Sequence, residues 1–203
     1  MITYETHLTR FAKDSAIPVL EPYMESLKKA VLEGHKQYYS NNTNQNLAVF
    51  ENRTKSGCIR DYVVNSVKEE FSHGDPVKMF NVRGLFVVCI GEYAIRFKKV
   101  DKHLRASNIK TKQNRAYTNQ TCIPGFPKEF IHVDLGYIQD NARNVDSMHL
   151  ICRYGEQILW SYDLSSGSNF ETLDIFAKPN NPIVPKVRVT VKQAERDNQQ
   201  SGN

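Results

Sequence analysis

The segment that most constrains the fold is a hydrophobic hairpin running directly into a basic stretch, Leu85 to Val100 followed by Asp101 to Arg115. Leu85–Ile90 is a continuous apolar run, the pattern of a strand buried on both faces. Gly91-Glu92 is a two-residue turn of the Gly-X kind that closes a type II′ hairpin. The return strand alternates, with Tyr93, Ile95 and Phe97 on one face and Ala94, Arg96 and Lys98 on the other. Such a hairpin is rigid and delivers the basic segment that follows it to a fixed place.

The first third reads as helical. Leu20, Met24, Leu27 and Val31 make one stripe of an amphipathic helix over 18–39, with Glu21 and Glu25 early and Lys28, Lys29 and Lys36 late, the order favoured by the helix dipole. Asn41 to Asn46 reads as a polar loop. A second helix is expected over 58–71, with Ile59, Tyr62, Val63, Val67 and Phe71 inward and Ser56 as its N-cap. After the hairpin, 111–120 has the pattern of a short helix capped by Thr111, and Ile123-Pro124-Gly125-Phe126-Pro127 forces a turn. Three strands follow: 130–138, with Ile131, Val133, Leu135 and Tyr137 on one face, then 148–153 and 157–164 around Tyr154-Gly155-Glu156. Helices first and strands later imply an α+β domain: an antiparallel sheet of about five strands with two N-terminal helices packed on one face.

The expected organisation is a single domain over 1–177, a Pro/Asn linker over 178–185, and an alternating valine strand over 186–192. A polar, disordered tail over 193–203 completes it. The 186–192 strand reads first as an edge strand of the same sheet. Pairing instead with a second copy would give a homodimer. No run approaches the eighteen or so apolar residues of a membrane span, and the N-terminus lacks a basic region followed by an apolar core. Cys58, Cys89, Cys122 and Cys152 form no CxxC pair. They read as reduced thiols, which places the expected location in the cytoplasm.

Catalytic signatures are sparse. Glycine-rich phosphate loops, HExxH, GxSxG and paired CxxC motifs are all absent from the sequence. His132 and Asp134 share a strand face with His149 on a neighbouring strand, a spacing that reads first as the wetter face of a half-buried sheet. No catalytic residue, metal ligand or cofactor is assigned. Arg96 with His103 supplies the alternative reading, a nuclease or toxin with a poorly marked site. A protein-interaction module acting through an exposed sheet edge is the third.

The basic stretch carries the main functional reading. From Lys98 to Arg115 there are seven Lys or Arg residues and one carboxylate, Asp101, whereas the whole chain has 27 Lys and Arg against 22 Asp and Glu. Arg96, Lys98, Lys102, Arg105, Lys110, Lys112 and Arg115, interleaved with Ser, Asn, Thr and Gln, suit phosphate-backbone contact. The expected partner is nucleic acid or an acidic protein.

Residues Arg83 to Asp101, Leu104 to Gln113, and the later Ile151-Cys152, Ile158-Leu159-Trp160 and Asp163-Leu164 resemble a group of uncharacterised bacterial proteins from phages and other mobile elements. The resemblance covers roughly residues 55 to 165 and carries no catalytic motif. It implies a binding or regulatory role in the regulation, toxin–antitoxin or anti-phage functions of a mobile element.

Overall fold

The computed structural model describes residues 11–72, 76–107, 109, 111–126, 130–140 and 143–165. The chain divides into two units, Met1–Leu173 and Asp174–Asn203, and every described residue belongs to the first. The linker, valine strand and tail expected over 178–203 lie outside the described residues.

The first unit is α+β. Among the described residues its helices are α1 (Lys13–Leu20), α2 (Met24–Asn41), α3 (Asn44–Val49), α4 (Asn52–Glu70) and α5 (Lys112–Thr118), with a 3-10 turn at Glu21–Tyr23. Its strands are β1 (Lys78–Val82), β2 (Leu85–Ile90), β3 (Tyr93–Lys99), β4 (Ile131–Gln139), β5 (Val145–Tyr154) and β6 (Gln157–Asp163). They form one six-stranded sheet in sequence order.

The sheet differs from the expected one in two respects. The added strand is β1, which closes on β2 through Arg83-Gly84; both residues have positive φ, 51° and 80°, as a type I′ turn requires. The sheet is also mixed, because β3 and β4 run parallel while every other neighbour pair is antiparallel. The cause is the connection. Residues 100–130 contain α5 and are long enough for a crossover, which is what a parallel neighbour needs and a hairpin loop cannot supply.

At Gly91 the φ of 54°, with Glu92 outside the positive-φ set, agrees with the type II′ turn read from sequence. All six residues of β2 are buried. Phe86, Val88 and Ile90, with Tyr93, Ile95 and Phe97, join Leu20, Leu27, Val31, Ile59, Val63 and Val67 of the helices in the larger core. Leu85, Val87, Cys89 and Ala94 point the other way, onto Tyr117, Ile123 and Phe126 of the crossover. The sheet is therefore covered on both faces, by the N-terminal helices on one and by the crossover on the other.

The helix stripe holds, but the helix is not continuous: Pro22 opens a 3-10 turn between α1 and α2. The second long helix starts earlier than expected. Its N-cap is Glu51, and Ser56 lies inside it with its hydroxyl donating to the Asn52 carbonyl at 2.9 Å. Four of the Asn41–Asn46 positions expected as loop differ as well, since Asn41 ends α2 and Asn44 to Asn46 begin α3. No helix among the described residues is long and apolar enough to cross a membrane.

Candidate nucleic-acid interface

The basic stretch belongs to the crossover, and its described residues are held by hydrogen bonds among themselves. Immediately after β3 the chain makes a tight loop closed by a bridge between Val100 and Ala106. Asp101 organises that loop: its Oδ1 accepts from the His103 amide at 2.9 Å and the Arg105 amide at 2.8 Å. Hydrogen bonds from these amides, Arg105 first, hold its carboxyl below the usual range. Leu104 takes the left-handed conformation, φ 58°, that turns the loop back. Lys102, His103 and Arg105 are left exposed on it.

The helix α5 begins as expected from Thr111, whose Oγ1 accepts from the Asn114 amide at 3.1 Å. Lys112 and Arg115 are exposed, while Tyr117 is 2% exposed beneath them. Its ring lies between a guanidinium and an imidazole: Arg96 Cζ is 4.0 Å from the ring centroid, and His132 stacks at 4.4 Å with planes 12° apart. The Tyr117 hydroxyl lies 2.7 Å from the Ala94 carbonyl and 2.9 Å from that of Val133. Burial pushes its pKa well up, so it remains a donor to both.

Under α5 sits a buried polar network. Arg96 donates to Asp134 through Nε at 2.7 Å and Nη2 at 3.1 Å, and through Nη1 to Asn114 Oδ1 at 2.7 Å. Arg153 approaches the same carboxylate at 3.8 Å. Gln120, also in the left-handed conformation at φ 55°, uses its side-chain amide as a strand substitute. It accepts from the His132 amide and donates to the His132 and Arg153 carbonyls, each at 2.8 Å. The β5–β6 ladder is irregular at Cys152/Arg153, and the Gln120 side chain occupies the neighbouring backbone groups.

Of the residues expected to meet an anion, the structure sets Arg96 and Lys98 apart from the exposed ones. Arg96 is 4% exposed and bound to Asp134, so it anchors the crossover and does not stand on the surface. Alternation along β3 implies cations directed to water; here that face is itself covered. Lys98 is half-buried on it, and burial with the neighbouring Arg96 pushes its ammonium down to about 8, against the pull of Asp134. Lys102, Arg105, Lys112 and Arg115 are exposed, and none is within ion-pairing distance of a carboxylate among the described residues. Lys110 lies outside the described residues.

The other chemical candidates are not assembled. Arg96 is inside and His103 is on the exposed loop. His132 and Asp134 do share a face, but their partners are Tyr117 and Arg96. Among the described residues no three His, Cys, Asp or Glu side chains are placed to hold a metal ion. Sequence reasoning missed Asn114, Tyr117, Gln120 and Asp134 as the groups that fix the crossover. The available signal was an arginine and an aspartate, each flanked by apolar residues in the middle of its strand.

Comparison of the chain with protein-family models, curated proteins and solved structures finds no match.

Proposed function

We propose that the chain is a non-enzymatic binding protein that takes up nucleic acid on the outer surface of its crossover. The observation that carries this reading is the state of Asp101. The only carboxylate between Lys98 and Arg115 is engaged by two backbone amides of its own loop, and Lys102, Arg105, Lys112 and Arg115 are exposed with no ion pair among the described residues. A cationic surface on a rigid support suits phosphate-backbone contact, in which each neutralised phosphate releases counterions. The buried Arg96–Asp134–Tyr117 assembly supplies the support. The proposal extends to a regulatory or defence role for such binding in a mobile element.

Fluorescence anisotropy with labelled single-stranded and duplex oligonucleotides tests the reading. Affinity is expected to fall by roughly tenfold or more between about 50 and 200 mM salt. Replacing Lys102, Arg105, Lys112 and Arg115 by Ala should flatten the salt dependence, by about one unit of slope for each phosphate that is no longer neutralised. A folded quadruple variant with an unchanged slope overturns the proposal. Capture of an acidic protein without any oligonucleotide response would move the same surface to protein recognition.

A further inference from the structure

A second site, on the helical side of the sheet, shares none of the four exposed crossover cations. A cleft of about 540 Å³ opens between the C-terminal half of α2 and the start of β5. That volume falls within the roughly 300–1,000 Å³ typical of small-molecule sites. Leu32, His35, Lys36 and Tyr39 line it from one side of α2, where residues three and four apart are neighbours, and Arg143 and Val145 line it from the other.

Its polar groups are mostly donors awaiting an acceptor. Lys36 and Arg143 are exposed, and neither forms an ion pair among the described residues. Asp140, a carboxylate near His35, accepts from the Asn144 amide at 2.7 Å and from Asn144 Nδ2 at 3.3 Å. Lys99 donates to Gln139 Oε1 at 2.8 Å, and Gln139 Nε2 donates to the Tyr39 hydroxyl at 2.8 Å. With its oxygen accepting from Gln139, the Tyr39 hydroxyl has its own proton left to give. His35 is 5% exposed, and its Nε2 is buried without a hydrogen-bond partner. Its ring rests against Tyr39 and Tyr137, with centroids 5.1 and 6.0 Å away. Burial, reinforced by Lys99 and opposed by Asp140, lowers its pKa and keeps the imidazole neutral at pH 7. Leu32 and Val145 supply the apolar part of the lining.

We propose that this cleft binds a small phosphate monoester, its phosphate held by Lys36, Arg143 and the Tyr39 hydroxyl and its ring-sized organic body against Leu32 and Val145. Two cations and a hydroxyl match a doubly charged group with three acceptor oxygens better than they match a carboxylate. The volume leaves room for the body beyond the phosphate. This assignment is independent of the crossover surface.

The test is a titration of the full chain with phenyl phosphate, followed by amide NMR. Saturable shifts are expected at 32–40 and 143–145, with weaker shifts from inorganic phosphate and none from phenol. Arg143→Gln and Lys36→Gln alter exposed side chains and leave the fold intact by circular dichroism. Each should weaken binding by roughly tenfold, and Tyr39→Phe should weaken it several-fold. Shifts confined to the crossover, phenol binding as well as phenyl phosphate, or unchanged affinity in both charge variants would each overturn the assignment, as would the absence of any saturable shift at millimolar probe.

Discussion

Arg96 and Asp134 stand directly opposite each other across the parallel β3–β4 junction, joined by two hydrogen bonds at 2.7 and 3.1 Å and almost fully shielded from water. A buried pair of this kind contributes little net stability, but removing one partner strands the other charge. Asp134→Ala is therefore expected to lose about 3–5 kcal/mol in urea unfolding. It should be more damaging than Arg96→Met, because Arg153 also leans on Asp134. The double replacement Arg96→Met with Asp134→Leu should recover part of the loss. A double variant less stable than both single ones would show that the pair stabilises the fold outright.

Gln120 is expected to act as a fastener between the crossover and the sheet. Gln120→Ala leaves the His132 amide and the Arg153 carbonyl without their side-chain partner, at a cost of about 1–3 kcal/mol. Hydrogen exchange should show this locally, as faster exchange of the His132 amide with β2 unaffected.

Gly34 and Gly57 should respond to alanine in opposite directions. A Cβ on Gly34 would stand 2.5 Å from Val63 Cα and 2.7 Å from Val63 N, so α2 and α4 touch there through backbone. Overpacking against backbone is expected to cost about 3 kcal/mol or more. Gly57 faces open space within α4, and Gly57→Ala should gain about 0.5–1 kcal/mol from helix propensity. Thermal unfolding of the two variants separates the cases.

Lys98 should leave a signature in the pH dependence of stability. Its ammonium titrates at about 8 in the folded chain against 10.5 unfolded, so between these values the unfolded chain binds more protons and stability rises with pH. Cys89 and Cys152, both raised by burial from 9.0 to about 12, act in the opposite sense: above about pH 9 the folded chain is the better proton binder and stability falls. A shallow maximum at about pH 9 is expected. Lys98→Met should diminish the rise on its acid side, to which the buried Lys13 also contributes, and keep the fall on its alkaline side.

The central hairpin, the helix stripe, the Thr111 cap and the final hairpin were legible because each is local. Their signals are a run of neighbouring side chains or a turn whose residues are adjacent. The parallel β3–β4 pairing was not legible. Alternation along 131–137 tells which residues share a face and says nothing about which strand lies beside it. The same gap hid the role of Arg96. Its partner is 38 positions away, and an arginine alternating with apolar residues looks alike whether water or a second layer covers it. Glu51 escaped as an N-cap because its side chain makes no capping hydrogen bond, whereas Ser56, of the preferred residue type, lies within the helix.

The arrangement of strands also implies an order of assembly. β1–β2–β3 and β4–β5–β6 are two meanders, each made of neighbours in sequence, and a single seam between β3 and β4 joins them. Each meander can close over short loops, whereas the seam requires residues 100–130 to be drawn together first, with a correspondingly larger entropic cost. Seam formation is thus expected to be the slow event in refolding, and truncations in Tyr117 or Gln120 to retard folding more than equally destabilising changes in the outer strands. Stopped-flow refolding of Tyr117→Phe beside Leu159→Ala measures that difference. It makes the polar stack under α5 the clasp on which the two halves of the sheet depend.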